Sequence, residues 1–124
     1  MTTASMSFKS IKAIALSVTD FDRALHFYTD TLSLRPAYED GKPVGNHLGN
    51  SILLLKPDWY AAPSDALNPR VTIETEDARS TEAALRAKGV TVADPVMAYG
   101  EALVGSFLDS EGNKLWFCSG QAPS

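Results

Sequence analysis

With a single cysteine, Cys118, the chain cannot form an internal disulfide, which suits a reducing, cytoplasmic compartment. Histidine is scarce, only His26 and His47, so any site needing several imidazoles is hard to build. Basic clusters are missing and the net charge is −4, which argues against nucleic acid as a partner. The longest apolar run, Ile-Leu-Leu-Leu at 52–55, is far short of the ~20 residues a membrane helix needs. Lys9 and Lys12 precede an apolar segment, but Ser17 and Thr19 interrupt it, so no secretory signal is expected. What remains is 124 residues, 44% hydrophobic and 21% charged: one globular domain, 1–124, large enough for a real core.

The pattern "IKAIALSV" alternates, with Ile14, Leu16 and Val18 on one face and Ala13, Ala15 and Ser17 on the other. A helix follows in "TDFDRALHFYTDTL", capped by Thr19 or Asp20, with Phe21, Ala24, Leu25, Tyr28 and Leu32 as its buried stripe. His26 lies off that stripe and reads as solvated. "RPAYEDGKPVGNHLGNSILLLKP" then predicts three strands with turns at Asp40-Gly41 and Gly49-Asn50. The order recurs: "RVTIETED" alternates, "ARSTEAALRAKG" is helical and stops at Gly89, and the remainder to "KLWFC" predicts three more strands. Asp20 and Asp77 align in the repeat. The fold class is therefore α+β, two βαβββ modules (about 8–57 and 69–119) joined by a connector at about 58–68.

Each helix must cover the bulky face of its own strands, leaving the opposite faces of two open, curved mixed sheets to enclose a concave pocket. Ala13, Ala15 and Ser17 leave room on that inner side, or pack closely against another strand or a partner subunit. Alternation in "KLWFC" sends Leu115 and Phe117 to the core and Trp116 with Cys118 to the pocket side. Leu53 and Leu55 are expected on the inner face too, completing an apolar wall, with Arg70, Thr72 and Glu74 as polar anchors. Trp116 either walls the pocket or plugs it. Cys118 reads as a buried inert thiol rather than a nucleophile. Trp59 and Tyr60 in the connector border the pocket mouth or lie in a dimer contact.

"IALSVTDFDRALHFYTDTLSL" resembles the opening strand and helix of the vicinal oxygen chelate superfamily, and "FLDSEGNKLWF" its closing turn and strand. Ser33 stands where a glycine is usual between the two leucines. The superfamily spans glyoxalases, extradiol dioxygenases and bleomycin-resistance proteins, and the resemblance implies a divalent metal on the concave face. Its ligand positions fall on Ala13, on or beside Leu53, on Arg70 and on Trp116. None of these side chains ligates such a cation. No metal and no other cofactor is therefore expected, and catalysis is not favoured.

The reading that follows is a metal-independent binder of the bleomycin-resistance type, a homodimer that sequesters an aromatic antibiotic or metabolite. Its candidate ligand-binding residues are Trp116, Leu53, Leu55, Arg70, Glu74, Ser17, His47 and Trp59. The acidic balance suits a cationic or neutral ligand. An enzyme using Glu74, Arg70 or His47 as acid–base groups, or a metal held by other ligands, is the alternative. A non-catalytic interaction module with a filled cavity is the third.

Overall fold

The computed structural model describes residues 6–59 and 61–120; Tyr60 lies outside them. Strand β1 (Ala13–Ser17) leads through Asp20, whose side chain accepts from the Arg23 N–H, into helix α1 (Phe21–His26). The helix continues as a π-helical turn over Phe27–Thr31, closed by an i→i+5 bond from the Leu32 N–H to the Phe27 carbonyl. Strands β2 (Pro36–Glu39), β3 (Lys42–Leu48) and β4 (Ser51–Lys56) complete module 1, turning at Asp40-Gly41 and at Gly49-Asn50. Asp40 and Gly41 both have positive φ, the twist that a tight hairpin requires.

Module 2 repeats the order. Strand β5 (Thr72–Glu74) is short, and Asp77 caps α2 (Ala78–Ala87) by accepting from the Arg79 and Ser80 N–H groups. Gly89 follows with φ +79°, the left-handed exit that a side chain would oppose. Strands β6 (Val92–Tyr99), β7 (Ala102–Leu108) and β8 (Lys114–Gly120) follow. The sheets run β1-β4-β3-β2 and β5-β8-β7-β6, parallel only where β1 meets β4 and β5 meets β8. This is the α+β arrangement of two βαβββ modules, with both sheets open.

The core lies on the helix side of both sheets. Leu16, Leu53, Leu55, Ala24 and Tyr28 from module 1 join Leu85, Phe107, Leu115 and Phe117 from module 2. Across the seam the rings of Phe27 and Phe107 lie 6.5 Å apart, and within module 2 those of Phe107 and Phe117 lie 6.2 Å apart. Phe27 is buried although the 3.6-residue spacing leaves it off the stripe; the wider π turn brings two consecutive aromatics inward.

The β7–β8 turn clamps the modules together. Glu111 Oε1 accepts from the Thr19 N–H, the Thr19 hydroxyl and the Asp20 N–H at 2.8–2.9 Å, while Oε2 takes the Arg23 Nε at 2.7 Å. The buried Tyr28 hydroxyl donates to Asp109 Oδ2 at 2.7 Å. Asn113 donates from Nδ2 to the Ser17 carbonyl and accepts from the Ser64 N–H, tying β1 and the connector to the same turn. Burial by itself raises the Glu111 carboxyl. The Arg23 guanidinium and the Thr19 and Asp20 donors outweigh it and hold the group down at about 2. Desolvation and the facing Asp109 carboxylate push the Tyr28 phenol well above its ordinary range, so it stays a donor.

Candidate ligand-binding face

Register decides which side chains share a face. In β8, Leu115 and Phe117 are buried in the core, while Trp116 is half-buried on the other side. Thr72 pairs with Trp116 and Glu74 with Cys118, so alternation sets these four residues together. The Arg70 guanidinium lies 4.0 Å from the Trp116 ring centroid, Thr72 is the register partner of Trp116, and Glu74 lies one pair further on, opposite Cys118. Such a contact contributes about 0.5–1 kcal/mol at an exposed site and holds the guanidinium flat over the ring.

Three further polar residues belong here. Lys114 Nζ is 5.1 Å from the same ring and 2.9 Å from Asp94 Oδ2, and the Ser106 hydroxyl donates to that carboxylate. These bonds, from Ser106 first and Lys114 next, hold the Asp94 carboxyl below its usual range. Lys114 was legible, because the alternation that pairs Trp116 with Cys118 also includes residue 114. Asp94 and Ser106 were not, since only the β6–β7 and β7–β8 registers carry them to this place.

The pairing of β1 with β4 corrects two expectations. Ile14 matches Leu53 and Leu16 matches Leu55, so both leucines share the helix-side face and are 1% and 2% exposed. The residues beside Ala13, Ala15 and Ser17 are instead Ile52, Leu54 and Lys56. The run of four apolar residues has no alternation of its own, so the register could not be read from it. Ser17 is buried with no hydrogen-bond partner for its hydroxyl among the described residues. His47 pairs with Ile52, one sheet away from the Trp116 group, and lines the cavity between the modules. Trp59 is 39% exposed in the connector. His26 is exposed and sits 2.7 Å from Asp30, as a solvated helix histidine should.

The donor set does not fit a divalent cation. At the positions implied by the resemblance stand a methyl group at Ala13, isobutyl groups at Leu53 and its inward neighbour Leu54, a guanidinium and an indole. Among the described residues no group of three or more His, Cys, Asp or Glu is placed to hold a metal ion. No helix of the described residues is long and apolar enough to cross a membrane.

On the other side of the β5–β8 sheet, between the modules, is a cavity of about 420 Å³. Its walls are the end of the π turn, the β3–β4 turn, α2, and the side chains of Phe107 and Phe117.

Known proteins share this architecture. No curated protein sequence matches the chain. Among solved structures, TnmS3, an antibiotic binding protein from Streptomyces sp. CB03234, superposes with a TM-score of 0.76 at 20% identity, covering 94% of this chain and 99% of that one. Lactoylglutathione lyase from Agrobacterium tumefaciens gives 0.72 at 21% identity, covering 94% and 97%. A glyoxalase family protein from Bacillus anthracis gives 0.78 at 14% identity, covering 94% and 99%. At these identities the likeness establishes the fold. A family model matches residues 10–117, nearly the whole chain. By that match, this chain belongs to the Glyoxalase/Bleomycin resistance protein/Dioxygenase superfamily.

Proposed function

We propose that the protein binds a planar aromatic small molecule without a metal, on the sheet face built around Trp116, and acts by sequestration. One observation carries this reading: where the resemblance implies a metal ligand, there stands an indole capped by a guanidinium, 4.0 Å away. Such a pair recognises flat π-systems by stacking, and needs neither an acid nor a base to do so. Thr72 and Glu74 supply polar anchors beside it. The likeness to an antibiotic binding protein supports the same class of role.

The local charge alters the expected ligand. Lys114 is paired with Asp94, and the Arg70 guanidinium already occupies the place over the ring that a ligand cation would take, whatever the net charge of −4 would invite elsewhere. A neutral or anionic aromatic is favoured. A homodimer suits the unpaired edges of both sheets, and the exposed Tyr38 on edge strand β2 and Met97 and Tyr99 on edge strand β6 are the apolar residues it would cover. The lone thiol suits a cytoplasmic setting.

Fluorescence titration in a Trp59→Phe background tests the reading, since Trp116 is then the sole tryptophan. Titration with 2-naphthoate and neutral 2-naphthol should quench Trp116 saturably, and a cationic acridinium should bind more weakly. Calorimetry with Trp116→Ala should show at least ~10-fold weaker binding of the aromatics that quench. Undiminished affinity in that variant would refute the stacking role. A lyase or isomerase reading rests on the likeness to lactoylglutathione lyase; stoichiometric metal in protein purified without chelator, with activity that follows it, would put that reading first.

A further inference from the structure

The cavity between the modules lies on the core side of the same sheet that carries Trp116. Its floor is Ile73, Phe107 and Phe117, and alternation turns Trp116 away from it. Four large aliphatics that line it, Leu32, Leu34, Leu48 and Ile73, are packed against the core yet only partly buried. Beside Leu16, Leu53, Leu55 and Leu115, which are almost completely buried, four half-covered aliphatics lining one hole leave apolar surface that an occupant would cover. The volume, about 420 Å³, falls within the ~300–1,000 Å³ typical of small-molecule sites.

The backbone at this wall is also unusual in two independent ways. Helix α1 widens into the π turn at Phe27–Thr31, and Thr31 and Leu32 at its end form the cavity edge. Such insertions cost helix geometry and are found mostly at functional positions. Ser33, between Leu32 and Leu34, has φ +62°, a left-handed conformation that a serine adopts at a cost. Both features aim the two leucines at the same hole. Glu74 and Lys88 at the lining are of opposite sign, His47, Thr31, Thr75 and Thr81 add polar edges, and the leucines, Ile73 and the two phenyl rings make the rest of the wall apolar.

We infer that this seam cavity is a second ligand site, across the β5–β8 sheet from Trp116 and sharing only Glu74 with that face, which takes an uncharged apolar molecule of one or two fused or linked rings. Glu74 and Lys88 carry opposite charges, so the lining as a whole favours neither a cation nor an anion, and its apolar wall does not replace the hydration a charged ligand would lose. Ala84, exposed on α2 and lining the cavity, allows it to be filled from outside the core.

The probe is N-phenyl-1-naphthylamine, neutral and fluorescent in apolar surroundings. It should bind the wild type saturably. Ala84→Phe should weaken it by at least ~10-fold, Ala84→Leu by less, and Trp116→Ala should leave it unchanged. Circular dichroism and thermal midpoints keep misfolding apart from filling, and the smaller Ala84→Leu variant preserves the test if phenylalanine unfolds the chain. Loss of the probe in Trp116→Ala but not in Ala84→Phe would overturn the inference and assign the probe to the Trp116 face. No probe binding, with a dimer that dissociates on Ala84→Phe, would also overturn it and give the cavity to a partner side chain. Failure of 2-naphthoate at Trp116 leaves this outcome untouched, so the two sites stand or fall separately.

Discussion

Replacing Glu111 by glutamine removes the carboxylate that binds the module 2 turn to Thr19, Asp20 and Arg23 of module 1 while keeping its shape. The Glu111 side chain is fully shielded from solvent, whereas Arg23 is 54% exposed. The carboxyl is lowered from 4.5 to about 2, and at ~1.36 kcal/mol per pKa unit the upper bound is about 3 kcal/mol. Solvent screening at Arg23 reduces this to about 2 kcal/mol. The folded-state value is depressed, so the contribution is complete above pH 4.5 and fades as pH falls toward 2. Urea unfolding at pH 7 should therefore show Glu111→Gln about 2 kcal/mol less stable than wild type, with a smaller gap at pH 3. Arg23→Ala should cost less in the Gln background than alone, because the two share one interaction. Equal stabilities at pH 7, or a gap that does not shrink with acid, would refute the clamp.

Two other substitutions test neighbouring parts of the same framework. Tyr28→Phe leaves Asp109 one donor short in a buried setting and should cost about 1–3 kcal/mol in chemical denaturation, with little change on the Trp116 face. Ser33→Gly should relieve the φ +62° conformation and raise stability by up to about 1 kcal/mol, read as a higher thermal midpoint. If the Leu32–Leu34 wall depends on that strain, the same variant should also weaken N-phenyl-1-naphthylamine binding.

Local chemistry was enough for much of the fold. Asp20 and Asp77 cap the helices, Gly89 ends the second one, and Asp40-Gly41 turns the first hairpin, each through interactions among near neighbours in the chain. The separation of Trp116 from Leu115 and Phe117 follows from a period of two that no partner can change. By contrast, Phe27 was missed because a 3.6-residue count does not foresee a π turn, which packing against Phe107 supports.

The order of elements and the division into two modules were determined by residue types and their spacing alone. Tertiary structure decided the rest. It turned Leu53 and Leu55 to the core, because an unbroken apolar run takes its register from a neighbouring strand. It also brought Asp94 and Ser106 to Lys114, beside the indole. The cavity at the seam exists only because two modules, each folded on local signals, meet over surfaces that do not fully fill the space between them.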